Sequence, residues 1–581
     1  MGAFLLVSDE AGHFKKKEAL ETMGVQCGTD PAHFSFQGWE LFLFPKRQVK
    51  TPNFHHNENN GVFVTGTPYF SGMNYSSTLD TLEEGMKSGR CNRDDLLGVY
   101  FLLAHKDNSL SFSTDPGGIY SIFYTADRLV ISSSFLSLCS GLNSLTPDKE
   151  TITENLATGS IIGGDTVFNE VKRFEPSNPV TFRGIRFAGN YPEVSKLQSR
   201  NKKESLKKQT EVLHEYFEGI KNFADEAGVD CGITGGLDSR LLLSLARNHF
   251  KSDKVQFHSH YRHNPDIDFL MGRELCKKLD VKFVSVPYRE FSQLPKEDTE
   301  SVIKRCMLFN DGQVRTHSFW HEEFNSAENL LLTLNDKSLA LNGIGGEQYR
   351  NSERLILSRW NKVKWIENSL VRKNAGNSFF YERDEKDLIC RLDDKISSRL
   401  RISGKQNITL MDIKRYMNEI YIPANRGIRT VNENRLFFST MPFADFFVSR
   451  AAYESVEHLG PSLSYEAEMI NLIDPEAASV GSSYGFAFNK TEPVTRYLPH
   501  VVFENFLPWE IKQKLSEKIL KKNTMSWCNI IESNRILIDA VDTVRELSLP
   551  LNMDLLSRRK EIGPLVFAMG YLLNTFKDKI K

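Results

Sequence analysis

Residues Cys231 to Arg240 read CGITGGLDSR, and the rest of the chain is best read outward from them. Upstream, EAGVDCGI reads as a short buried strand ending at Ile233, and downstream RLLLSLARNHF reads as a helix beginning near Ser239. Gly235 and Gly236 let backbone N–H groups turn inward with no Cβ in the way, while a helix start adds unpaired donors and partial positive charge. Thr234 and Ser239 can donate hydroxyl bonds to phosphate oxygens, whereas Asp238 repels them unless it holds Mg2+. The stretch predicts a cradle for the pyrophosphate of a metal-bound nucleotide. The plainer alternative is a tight Gly-Gly turn with Asp238 capping the helix. A kinase-type phosphate loop is excluded, since no Gly, four residues, Gly-Lys-Ser/Thr string occurs.

The neighbouring sequence supports the cradle. KVQFHSHY (Lys254 to Tyr261) reads as a second strand, FLMGRELCKKLD as a helix and VKFVSVP as a third strand, which is a doubly wound α/β order. Further on, SLALNGIGGEQYR (Ser338 to Arg350) repeats the design: an apolar strand feeds Gly343, Gly345 and Gly346, then Glu347. A second glycine loop bearing a carboxylate is expected to face the first.

TGGLDS and LNGIGGEQ resemble the SGGLDS and LSGxGxDE motifs of the asparagine synthetase-like ligases. The resemblance implies that Thr234, Gly235, Gly236, Leu237, Asp238 and Ser239 bind ATP together with Gly343, Gly345 and Gly346. It also implies that Asp238 and Glu347 hold Mg2+ on the pyrophosphate, and that backbone at Phe257 contacts the nucleotide. Glu347 replaces the family's aspartate and Gln348 its glutamate, so that second contact brings no charge. PANRGIRTVNENRLFFSTMPFAD (Pro423 to Asp445) is similar to the segment carrying an Asp-Arg pair, Glu-x-Arg and Pro-Phe-x-Asp, with Arg426, Glu433, Arg435 and Asp445 as counterparts. The family's catalytic lysine has no counterpart in PSLSYEAEMINLID, and Lys414 is the sole lysine between Lys405 and Lys490. Lys490 and Arg435 are therefore the candidate cations for charge that builds on the α-phosphate.

The resemblance reaches the N-terminal half through LLGVYFLLAHKDNSLSFSTDPGGIYSIFY (Leu96 to Tyr124) and Thr151 to Phe182. Alternating apolar residues and turn strings make the first 190 or so residues predominantly β. The fold expected is α/β overall. Residues 1–195 would form an N-terminal-nucleophile (Ntn) hydrolase-like αββα glutaminase sandwich, and 196–581 an adenine-nucleotide α-hydrolase-like (PP-loop) domain with additional helices. Glutaminases of this family attack with a cysteine exposed once Met1 is removed. Here residue 2 is Gly2 and the first cysteine is Cys27, so the domain is expected to be an inactive scaffold, as in β-lactam synthetases and lasso-peptide cyclases.

Other candidates are weaker. His258, His260 and His263 suggest a metal only by spacing. Asp266 and Asp268 read as helix caps, and Asp311 with Arg315 as a loop that faces the cleft or a structural Asp-Gly turn. Lys plus Arg, 73, nearly cancels Asp plus Glu, 74, so no nucleic-acid partner is expected. Eight scattered cysteines without CxxC, no secretory signal and no membrane-length apolar run give a cytoplasmic expectation.

The reading is an ATP-dependent ligase that makes an acyl-adenylate from a small-molecule, carboxylated-sugar or peptide carboxylate and passes it to an amine or ammonia without hydrolysing glutamine. A homodimer is compatible with it. The rival readings are a degenerate scaffold and a PP-loop ATPase modifying RNA.

Overall fold

The computed structural model describes the chain apart from residues 1, 37, 53, 57–59, 89–94, 107–108, 177, 179, 183–184, 188–200, 262–264, 290–297, 314–320, 322–324, 357–359, 373–381, 509–510, 513–533 and 555–562. The expected boundary at 195, His263 and Arg315 lie outside the described residues.

Two antiparallel sheets build the N-terminal half. Ala3–Ser8 lies inside a six-stranded sheet between Val130–Ser132 and Trp39–Phe44, while Asn60–Phe70 and Leu96–Lys106 pair along all eleven residues at the centre of a four-stranded sheet. Alternation decides which face packs where. Phe4, Leu6, Leu41 and Leu43 meet Phe101, Leu103 and Phe112 between the sheets, with the Phe4 and Phe101 rings stacked at 4.2 Å. Ala3, Leu5 and Val7 point the other way, onto Ala19 and Met23 of helix Lys16–Cys27 and Leu138 of helix Phe135–Gly141. The outer face of the second sheet, Val62, Val64 and Leu102, is covered by Leu79 and Leu82 of helix Tyr75–Ser88 and by Leu213 and Phe217 of helix Lys202–Ala227. The result is four layers, helix, sheet, sheet, helix, with the last layer shared between the halves.

The second half carries a five-stranded, all-parallel sheet. Its strands, numbered in chain order, are β1 (Val229–Gly232), β2 (Val255–Tyr261), β3 (Phe283–Pro287), β4 (Leu339–Leu341) and β5 (Phe438–Thr440), arranged 3-2-1-4-5. Val229, Cys231, Phe257 and Leu341 pack on Leu241, Leu242 and Leu245 of helix α1 (Leu237–His249). The opposite face is apolar at its β4 end, where Ala340 meets Leu330 and Leu334 of α2 (Ala327–Leu334) and Phe437, and carries Val284 and Val286 on β3. Chain order reverses between β1 and β4, and open α/β sheets bind ligands at such a switch point.

The halves are stitched by buried polar groups. Lys46 donates to the carbonyls of Asn434 and Phe437 at 2.6 and 3.1 Å, and Asp445 accepts the Gly98 N–H at 3.0 Å. Gly2 is sealed in this seam: a Cβ there would lie 2.5 Å from the carbonyl oxygen of Arg435.

Candidate functional site

β1 ends at Gly232, and Ile233 to Gly236 turn the chain into α1 at the switch point. The helix begins at Leu237, two residues earlier than the sequence suggests, with Gly236 at its N-cap and no side-chain cap bond. Asp238 is thus in the first turn and does not cap, and the first-turn N–H groups keep their donor capacity at the loop. Thr234 and Ser239 brace the turn: Thr234 Oγ1 accepts the Gly236 N–H at 3.1 Å, and Ser239 Oγ accepts the Thr234 N–H at 3.1 Å. Leu237 and Phe257 direct their side chains into the apolar core, and the Phe257 N–H is spent on Lys282 O at 2.8 Å.

Two further segments close on this loop. A Cβ on Gly235 would lie 2.8 Å from Ser483 Cβ, and the Ser483 N–H donates to Gly235 O at 3.1 Å. Arg240, wholly buried, anchors that segment by donating to the carbonyls of Ala477, Val480 and Gly481 and by lying 4.6 Å over the Phe488 ring. Burial pushes its guanidinium down to about 10. On the other side sits the second glycine loop, after β4. A Cβ on Gly346 would come within 2.3 Å of Asp238 Oδ1, and one on Gly343 within 3.3 Å of the Asp238 carbonyl oxygen. Gly345, at φ +97°, lies against Ala444. Only glycine at 346 lets the two loops touch here.

Asp238 meets a partner that the motifs do not announce. Arg350, at the end of the short turn Gly346–Tyr349, grips both its oxygens, Nη1–Oδ1 at 2.5 Å and Nη2–Oδ2 at 2.8 Å. The same Nη1 contacts Glu466 Oε2 at 2.5 Å on helix α4 (Ser464–Ile473), numbering α3 as Gly427–Asn434. Burial drives the Glu466 carboxyl well above the usual carboxylate range, against the pull of Arg350. Glu347 is half-buried and accepts the Gly345 N–H on Oε2 at 3.1 Å. Gln348 turns away, donating to Phe443 O at 2.8 Å. Beneath the loop, buried Lys414 donates to the carbonyls of Glu347 and Arg350, each at 2.6 Å, and burial, then Arg350, push its amine down to about 8.

The two candidate cations lie elsewhere. Arg435 is 2% exposed, and its Nη2 pairs with Asp311 at 3.1 Å and donates to Ser133 O at 3.2 Å, so its guanidinium is buried in the seam between the halves and is not offered to a nucleotide. Asp311 does not face a cleft: it accepts the N–H groups of Phe135 and Leu136 at 2.7 and 3.1 Å. Lys490 is an exposed residue on the turn after Phe488. Asp266 caps helix Ile267–Lys278 through the Phe269 N–H at 2.9 Å. Among the described residues no group of three or more His, Cys, Asp or Glu is placed to hold a metal.

Nothing in the glycine motifs signals Glu466 or Lys414. Arg350 had a faint signal, a cation closing the turn that starts at Gly346.

Comparison with solved structures finds a glutamine-dependent NAD+ synthetase from Acinetobacter baumannii in complex with adenosine diphosphate, at 13% identity and a TM-score of 0.17. The match covers 49% of this chain and 52% of that one, about half of the synthetase's length. No family model matches the chain, and no curated protein matches it. Among the described residues no helix is long and apolar enough to cross a membrane.

Proposed function

We propose that the chain is an ATP-dependent carbon–nitrogen ligase, with a PP-loop half that makes an acyl-adenylate and an Ntn-like half that does not hydrolyse glutamine. The observation that carries this is the junction of two glycine loops at the switch point, where Gly343 and Gly346 press on Asp238 at the uncapped start of α1. The donor set suits polyphosphate: first-turn N–H groups and the Thr234 and Ser239 hydroxyls, 3.0 Å apart, line the loop, and the Arg350 guanidinium stands beside it on Asp238. It also fits Mg2+ that arrives on the phosphates, which needs only one or two protein carboxylates, here Asp238 and Glu347. That ion would neutralise charge on the pyrophosphate as it departs.

The residues' own work is alignment. The loop and the α1 start would hold the β- and γ-phosphates so that a substrate carboxylate reaches the α-phosphate in line, and pyrophosphate leaves. An amine then attacks the acyl carbon and AMP departs. A carboxylated sugar or a peptide carboxylate is the proposed acid, and ammonia or a primary amine the acceptor. A Cβ at residue 2 would lie 2.5 Å from Arg435 O, so no nucleophilic side chain fits there, which supports a route that bypasses glutamine.

One observation favours a second reading, a degenerate scaffold: Arg350 engages both oxygens of Asp238. Exchange of labelled pyrophosphate into ATP, run over a panel of hexuronic acids and peptides, separates the two. The ligase reading expects acid-dependent exchange that falls by roughly 100-fold or more in Asp238→Asn; exchange untouched by that variant sinks it.

A further inference from the structure

Beside the glycine loops lies a cleft of about 500 Å3 on the opposite face of the sheet from α1, bounded by Gly232 and Gly343 at the strand ends and by Asp230, His258, Arg429 and Glu433. None of its ionisable side chains is used by the phosphate site. Asp230 is buried in β1, where Gln256 donates to Oδ1 at 2.9 Å and His258 Nδ1 stands 2.7 Å from Oδ2. The Asp230 charge beside Nδ1, in contact but out of line for a hydrogen bond, favours the proton on that nitrogen and leaves Nε2 as the basic one. His258 pairs in register with Gly232, and its Nε2 lies 3.9 Å from where a Gly232 Cβ would stand, so the ring edge reaches the strand end that feeds the phosphate loop. At the far wall Gly343 touches the backbone of Asp238.

We propose that this cleft is the amine subsite of the ligase and that the Asp230–His258 pair is its general base, acting on ammonium or a primary alkylammonium. The proposal rests on the acyl-adenylate reading. An ammonium has no lone pair. His258 Nε2 takes one proton from it, the freed nitrogen pair forms the C–N bond, and the bond between the acyl carbon and the phosphate oxygen breaks with its electrons going to AMP. The second proton lost by the nitrogen goes to water.

The groups facing the imidazole suit this task. Glu433 accepts Arg429 Nε at 2.7 Å, so those two charges on α3 offset each other. His260 is edge-on at 5.2 Å on the same strand, Tyr288 follows β3, and Arg426 is exposed at the rim. Asp230 is left as the carboxylate whose charge faces His258. Burial works against a charged His258, yet Asp230 carries it above 6.5, with Arg429 pulling down and Glu433 up.

The test uses the full chain, ATP, Mg2+ and the same acid panel, with ammonium chloride or hydroxylamine as acceptor. Hydroxylamine is largely unprotonated at neutral pH and needs no base to attack. In His258→Gln, ammonium-dependent amide formation is expected to fall by roughly 100-fold, with hydroxamate formation and pyrophosphate exchange within about fivefold of the parent. Asp230→Asn should shift the acidic limb of amide formation to lower pH. Retained exchange shows that the variants fold. Equal losses with both acceptors, loss of exchange in a chain that still melts cooperatively, or an unchanged ammonium rate each overturn the base. Absence of exchange in the parent chain overturns the acyl-adenylate reading, and the base with it.

Discussion

At the scale of single residues, the site turns on a buried guanidinium. Arg350 holds Asp238 from one side and Glu466 from the other, and Glu466 is fully buried. Truncation to methionine in Arg350→Met leaves both carboxylates without their cation, and breaking a buried pair in this way costs about 3 kcal/mol. Arg350→Lys is expected to recover little, because an ammonium cannot span two oxygens of one carboxylate as the planar fork does. Adding Glu466→Gln to Arg350→Met should return much of the loss, since the neutral amide needs no counter-charge. Urea unfolding followed by circular dichroism measures all three; an unchanged midpoint in Arg350→Met contradicts this account of the pair. The turn at Thr234 to Ser239 was legible in the sequence because a tight strand-to-helix turn restricts residue type position by position. Glu466 was not, because a buried ion pair formed across more than a hundred residues leaves no local pattern.

At the scale of elements, the strands and helices around the loops follow from pattern, and their ends follow from packing. The expected strand at Lys254 to Tyr261 corresponds to Val255–Tyr261, and the helix placed at Ser239 starts at Leu237 because Leu237 is drawn into the core below the sheet. The segment from Ala477 to Phe488 packs Val480, Phe486 and Phe488 into the same core as α1 and is also held there by Arg240, and sequence periodicity does not reveal that second kind of attachment. Removing the guanidinium in Arg240→Met would strand three carbonyls in the interior and cost about 3 kcal/mol. Hydrogen exchange should then rise at Gly481 to Gly485 and in the first turn of α1 before it rises in the sheet. Uniform protection across both elements would show that Arg240 is not the anchor.

At the scale of the whole molecule, the chain places a four-layer sandwich against a parallel sheet and fills the seam with Lys46, Asp445 and the Arg435–Asp311 pair. The β-rich first half and the doubly wound second half were readable from alternation and from strand and helix order. Their joint was not: Arg435 came to notice through its motif, yet it serves the seam, where its backbone walls in Gly2. A chain built this way should spend ATP at the switch point and draw nothing from glutamine. The direct measurement is to incubate the chain with ATP, Mg2+ and the acid panel, offer ammonium or glutamine, and separate the products by ion-exchange chromatography. The account predicts AMP and pyrophosphate in equal amounts with ammonium, and no glutamate released from glutamine. ADP and phosphate as the products, or glutamate released in step with ATP cleavage, would contradict it.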